Sequence, residues 1–207
     1  MSTVQTTASK EYDIILLRHG NSQADVEKRY GGMDEDTLTE EGVRQAEAVA
    51  GRLACGKIRF DRIIASPLSR AKRTAEIVAG RLGLALTFDP FFRERDNGVM
   101  SFQPKKEFDK THPRPEFESP FWSIEGGESI AELHLRAGVA VVKLVSGEPG
   151  KILVVAHGGI INAIVCNMLG IGYCTGVGFK LNDTGFIRIR YKPSQHRWTF
   201  IEMNAGA

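Results

Sequence analysis

Two apolar runs in this chain each stop at a histidine followed by glycine, and that pairing narrows the fold more than any other feature. The first is Ile14-Ile15-Leu16-Leu17-Arg18-His19-Gly20. The second is Ile152-Leu153-Val154-Val155-Ala156-His157-Gly158-Gly159. Short apolar runs bounded in this way read as buried strands. The stretch Lys151–Ala156 is almost wholly apolar and is expected to be central, covered on both faces. Open α/β sheets bind their ligands just beyond the carboxyl ends of the strands. Both histidines are therefore expected at one edge, each with a glycine that lets backbone approach a ligand without a Cβ in the way. Ordinary surface or capping histidines are the competing reading. It would suit one such histidine, but two of only five, both at strand ends and both before glycine, speak against it.

The rest of the chain interleaves strands with helices. Strands are expected over 12–17, 60–65 and 84–88, the last near the sheet edge. Thr39 is a candidate N-cap for a helix closed by Gly56, with the acids Glu40 and Glu41 suited to its positive end. Ser66 as N-cap with Pro67 at the first helical position predicts another helix. Further helices begin near Ser129 and Ile160. The tail segments Gly178–Leu181, Gly185–Tyr191 and Trp198–Met203 alternate like an antiparallel edge. The pattern predicts a three-layer α/β/α sandwich with a mainly parallel central sheet and an antiparallel edge. We read 1–207 as a single domain, with 1–11 mobile.

Composition excludes several function classes. Across 207 residues the net charge is only +2, which gives no case for nucleic acid or a membrane surface. Cys55, Cys166 and Cys174 are odd in number, lack metal-ligand spacing and read as free thiols in a reducing compartment. The polar N-terminus is not a signal peptide, and no run approaches the roughly 20 apolar residues of a membrane span. A cytoplasmic protein is expected.

The chemistry collects around anion binding. Arg70 in the first turn of a helix has the wrong sign for the helix dipole, unless an anion is bound there and shared with the backbone N–H groups. Arg18, Arg70 and two helix starts make a pocket for phosphate, sulfate or carboxylate. Two imidazoles in a positive pocket suggest phosphoryl transfer to nitrogen, with cations holding the equatorial oxygens. Glu94 is a candidate proton donor, although its spacing alone suits a surface glutamate paired with Arg93 or Arg95.

These residues together resemble the histidine phosphatase superfamily, in its phosphoglycerate-mutase-like branch. Arg18-His19-Gly20 matches the family signature after the first strand. Leu38-Thr39-Glu40-Glu41-Gly42 with Gln45-Ala46, Ser66-Pro67-Leu68-Ser69-Arg70-Ala71 with Thr74-Ala75, Arg93-Glu94 with Gly98, Gly126-Gly127-Glu128-Ser129 and Ala156-His157-Gly158-Gly159 follow in the family's order. The resemblance implies that His19 is a nucleophile that becomes phosphohistidine. It implies that Arg18, Arg70 and His157 bind the transferring group, and that Glu94 protonates the leaving oxygen. It implies no metal and no cofactor. Gly158 and Asn21 are added as substrate-binding candidates, Asn21 because a ligand asparagine common in relatives is Asp25 here. A glutamine common twelve residues after the nucleophile is Gly31. Asp25 would repel a dianion unless it turns away or meets Arg29.

The expected activity is metal-independent hydrolysis of small organic phosphomonoesters. A phosphoglycerate-type mutase and a catalytically weak phospho-ligand or partner-binding protein are the alternatives. The irregular stretch Met100–Gly127, rich in proline and aromatics, is the expected lid. Phe102, Phe121 and Trp122 would give it an apolar mouth, and Lys105 and Lys106 would meet a second anionic group. A small phosphate ester is the expected partner, with no nucleic acid and no membrane, and the protein is a monomer or homodimer.

Overall fold

The structure is a computed structural model that describes residues 11–33, 36–113, 119–173 and 176–204. The expectation of mobility for the first ten residues, Cys174, and the centre of the insert at 114–118 lie outside the described residues.

In chain order the elements are β1 (Tyr12–Arg18), α1 (Gln23–Val26), α2 (Glu40–Cys55), β2 (Arg62–Ala65), α3 (Ser69–Leu82), β3 (Leu86–Phe88), α4 (Lys105–Thr111), α5 (Ile130–Ser146), β4 (Gly150–Ala156), α6 (Gly158–Leu169), β5 (Phe186–Lys192) and β6 (Arg197–Asn204). The six strands form one sheet in the order β3-β2-β4-β1-β5-β6. The β3, β2, β4 and β1 pairings are parallel, whereas β5 and β6 join antiparallel. The mainly parallel sheet with an antiparallel edge is as the sequence implies.

Strand periodicity sorts the core into two layers. Ile14 and Leu16 of β1 and Ile152, Val154 and Ala156 of β4 pack with Leu133, Ala137, Ala140 and Leu144 of α5 and Ile160, Ile161 and Ile164 of α6. Ile15, Leu17, Leu153 and Val155 point the other way, onto Val49 and Ala50 of α2 and Ala75, Val78 and Ala79 of α3. Each of these large aliphatic side chains contributes roughly 1.5–3 kcal/mol when fully buried. That is why β1 and β4, buried on both sides, are the fixed centre from which the site is hung.

The caps largely follow the sequence. The Thr39 hydroxyl accepts from Gly42 N–H at 3.0 Å and Gly56 ends α2. Ser129 and Glu132 form a reciprocal capping box at the start of α5. Gly83 closes α3 at φ +66°, in the left-handed region open to glycine.

Three expectations are corrected. Helix α3 starts at Ser69 with Leu68 at its N-cap position, not at Ser66-Pro67. The Ser66 hydroxyl is instead engaged by His157 and accepts from Leu68 N–H at 3.3 Å, as part of a turn. Gly178–Leu181 is not a strand. The Asn162 amide of α6 brackets Phe179, donating to its carbonyl at 2.7 Å and accepting its N–H, so this backbone is satisfied by a side chain instead of a neighbouring strand. The loop and the insert also hold the short helices α1 and α4. Among the described residues no helix is long and apolar enough to cross a membrane.

Candidate active site

The parallel register sets Arg18 beside Ala156, so the residues that follow, His19 and His157, emerge together at the carboxyl edge. His19 N–H donates to Ala156 O at 3.0 Å. The imidazole centroids are 5.0 Å apart and meet edge-on at 63°. His19 is 4 % exposed and His157 is fully buried. His19 Nδ1 lies 2.7 Å from Gly20 O, so Nδ1 carries the proton and Nε2 keeps its lone pair. That lone pair faces Arg70, whose Nε donates to it at 3.2 Å. Burial first, then the charges of Arg70 and Arg18, pull the His19 pKa from its ordinary 6.5 to about 3. Burial followed by Arg70 likewise holds His157 well below its ordinary value. Both rings are therefore neutral near pH 7. His157 Nε2 shares a 2.8 Å hydrogen bond with the Ser66 hydroxyl, and its buried Nδ1 makes no hydrogen bond among the described residues.

Arg70, 3 % exposed, enters from the first turn of α3. Its guanidinium donates to Gly32 O at 3.2 Å and lies 3.8 Å from the Asp36 carboxylate. Thr74, one turn on, accepts Gly20 N–H at 3.2 Å and donates to Arg70 O at 2.8 Å, which ties α3 to the strand end that carries His19. Arg18 donates to Leu181 O at 2.7 Å, and its guanidinium lies 3.3 Å from Asp25 and 3.2 Å from Asp183.

Asp25 turns away from the pocket in part and meets Arg18, not Arg29. One of its oxygens accepts from Ser22 N–H and hydroxyl at 3.1 and 2.8 Å, capping α1, and the other faces Arg18. Burial would raise its pKa, but the Ser22 donors and the Arg18 charge outweigh that and hold it below the usual carboxylate range. Asn21 does not face the cavity. Its amide donates to Asp183 at 3.1 Å and accepts from the Thr39 hydroxyl at 2.9 Å.

Glu94 is not a surface glutamate paired with its neighbouring arginines. Its carboxylate sits on the N-terminus of α6, accepting from Gly159 N–H at 3.0 Å, Ile160 N–H at 3.1 Å and Arg95 N–H at 2.9 Å. This helix start therefore holds a protein carboxylate where the sequence suggested a site for an external anion. Arg136 of α5 steadies the turn from below. It donates to the carbonyls of Phe91, Arg93 and Glu94 at 3.0, 2.7 and 3.1 Å and forks onto Glu128 at 2.8 and 2.7 Å.

These groups wall a cavity of about 380 Å³ that includes Arg18, His19, Arg70, Glu94 and Gly158. Asp25, Asp36, Gly31 and Lys105 also line it, whereas Asn21 and His157 do not. Phe102, Phe121 and Trp122 are not among the walls either. Phe102 lies under Arg29 instead, 5.2 Å from guanidinium to ring. Gly31 faces the Arg70 guanidinium, and a Cβ there would make ordinary contact at 3.6 Å, so glycine leaves the space over Arg70 open. The glycine after His19 has a different role from the expected one. A Cβ on Gly20 would strike the Gly42 backbone at the start of α2, while Gly158 faces open space.

Asp36, Asp183 and Arg136 are not marked by the sequence, and Thr74 is marked only as part of the Thr74-Ala75 motif, with no role. The two acids stand singly in polar loops and carry no local signal. Arg136 sits on a helix whose legible feature is its apolar stripe. Among the described residues, no group of three or more His, Cys, Asp or Glu side chains is arranged to hold a metal ion.

The family model of the histidine phosphatase superfamily (branch 1) matches residues 14–205. A protein of Salmonella choleraesuis (strain SC-B67) named "probable phosphoglycerate mutase" is 33% identical over 194 residues, covering 88% of this chain and 86% of that one. Among solved structures, mycobacterial hydrolase 1 superposes with a TM-score of 0.83 at 27% identity, over 95% of this chain and 100% of the other. The mycobacterial glucosyl-3-phosphoglycerate phosphatase gives 0.82 at 26% identity, over 95% and 100%.

Proposed function

The chain belongs to the histidine phosphatase superfamily (branch 1), and from that premise we propose that it is a phosphatase that hydrolyses small organic phosphomonoesters through phosphohistidine, without a metal. The observation that carries this reading is the state of His19. A neutral imidazole, its Nδ1 proton held by Gly20 O, keeps the Nε2 lone pair inside a cavity that also holds Glu94.

The ester phosphorus would come to Nε2. Arg70 then moves its Nε–H from His19 to a phosphoryl oxygen, which frees the lone pair to attack. Arg18 and Arg70 hold the equatorial oxygens as charge spreads over them, which is the role positioned cations play in phosphoryl transfer. His157 does not line the cavity, and a contact with the same group would come from its buried Nδ1, the nitrogen not engaged by Ser66. As the N–P bond forms the P–O bond breaks, and protonated Glu94 gives its proton to the departing alkoxide. The resulting carboxylate then takes a proton from water, whose oxygen attacks phosphorus, and the P–N electrons return to His19. Two arginines supply the charge that a metal ion would otherwise provide. The acid favours this reading over an idle binder, since binding alone has no use for Glu94.

A mutase is the second reading, favoured by the name of the Salmonella relative. It differs in the fate of the phosphoryl group, which would pass to a second hydroxyl instead of water.

Rapid acid-free quenching with a labelled aryl phosphate tests the proposal. Label is expected on His19, in a base-stable form, with none in His19→Ala and no change in EDTA. Label on another residue, or loss of turnover in EDTA, sinks it. Transfer to phosphoglycerate faster than release of phosphate favours the mutase.

A further inference from the structure

A second cavity, about 590 Å³, lies between α5, α6 and the segment before β5. Its walls include Ile130, Leu133, Ala163, Cys166, Val177 and Phe179. It shares Arg95 and Gly159 with the catalytic cavity. These two residues hold Glu94 from either side, through Arg95 N–H at 2.9 Å and Gly159 N–H at 3.0 Å. The two cavities therefore adjoin at the residues that hold Glu94, whose carboxylate itself lines the catalytic cavity and not the second one, and an alcohol that takes its proton from Glu94 would leave beside this boundary.

The walls of the two spaces differ in kind. The catalytic cavity is lined by Arg18, Arg29, Arg70, Lys105, Asp25 and Asp36, among others. An apolar group gains little by being laid against such charge. The second cavity offers aliphatic and aromatic side chains instead, where burial of hydrocarbon is favourable in proportion to area. Lys180 stands on its wall and His134 on another side. His134 meets Tyr173 edge-on at 5.7 Å, and Tyr173 meets Phe121 at 6.2 Å. Phe121 of the insert is thus linked through Tyr173 and His134 to this space, whereas Phe102 packs on Arg29 beside the catalytic cavity.

We infer that the cavity between α5 and α6 is the leaving-group subsite, and that it takes an apolar alkyl or aryl portion of the substrate's alcohol. The inference rests on the hydrolytic reading above for the direction in which the alcohol leaves. It names a substrate class, phosphomonoesters of amphiphilic alcohols, and residues that set specificity without touching the phosphoryl group.

The test is calorimetric titration with n-alkylphosphonates from methyl to octyl, whose P–C bond cannot be cleaved. Affinity should climb about three- to fourfold per methylene once the chain passes Gly159. Ala163→Leu fills the cavity from the buried side, and Val177→Trp fills it from a position 53% exposed, where the core is not strained. Each should flatten the climb, and the slope is the readout. A flat series in the unaltered protein, or a slope unchanged in a folded Val177→Trp protein, overturns the inference. A protein that shows the slope yet hydrolyses no ester keeps the subsite and loses the hydrolytic reading. One that hydrolyses short esters with a flat series does the reverse.

Discussion

Glu94 Oε2 accepts the backbone N–H of Gly159 at 3.0 Å, so the proposed proton donor is held by the first turn of the helix that follows the second histidine. The arrangement leaves no room at position 159. A Cβ there would overlap Glu94 Oε1. Gly159→Ala should therefore displace the carboxylate while leaving α6 intact. Misplacing a reacting group by about 1 Å can cost roughly a hundredfold in rate. Steady-state kinetics on an aryl phosphate should show kcat reduced about 10- to 100-fold, with the melting temperature within a few degrees of the unaltered protein. An unchanged kcat would mean that Glu94 is not the acid.

Arg136 should matter to the same turn from the other side. Its guanidinium joins three carbonyls of 91–94 to Glu128, with side chains 15% and 14% exposed. Arg136→Met strands the Glu128 carboxylate and those carbonyls together. The expected loss is about 2–3 kcal/mol in denaturant unfolding, below the range for fully buried pairs because some water reaches this one. Turnover should fall as well, and Arg136→Lys should restore part of the stability but not the forked geometry.

Asp25 shares Arg18 with any incoming dianion. Asp25→Asn keeps an acceptor for the Ser22 donors but removes a charge 3.3 Å from the guanidinium. Inhibition by inorganic phosphate should tighten about three- to tenfold, a range set by like-charge repulsion at an effective dielectric between water and protein interior. Weaker inhibition would show that Asp25 serves the anion indirectly, by orienting Arg18.

The two buried histidines predict an acid limb in stability. Each has its folded-state pKa pushed below the ordinary 6.5, His19 to about 3. The unfolded chain therefore takes up protons first as pH falls. Their contribution is fully present above about pH 6.5 and is lost as pH falls below it, for His19 down to about 3, at roughly 1 kcal/mol per pH unit while a ring is charged only in the unfolded chain. Thermal melts from pH 7 to 4 should show this slope, and His19→Asn should reduce it. A melting temperature that stays flat over that window would mean the rings are protonated in the folded state.

Much of this was legible in the primary structure because it is local. The 14–20 and 152–159 runs carry their strand character in unbroken hydrocarbon, and their histidines lie where such strands end. Thr39 and Ser129 announce helix starts within four residues. What the sequence could not carry were relations between distant segments. Ser66 looks like a cap until His157, 91 residues away, takes its hydroxyl. The 178–181 stretch alternates like a strand, but Asn162 satisfies its backbone first. The Gly20 signature reads as room for a ligand, whereas its close neighbour is the Gly42 backbone.

The sequence by itself determined the central strands, the family and the pair of histidines with Arg18 and Arg70, because periodicity and ordered motifs need no partner to be read. Only the tertiary structure decided what those groups can do. It put Glu94 on the start of α6, surrounded Arg18 with Asp25 and Asp183, and gave His19 a low pKa through burial beside Arg70. Electrostatics and proton affinity depend on distance and desolvation, and neither exists until the chain has closed on itself.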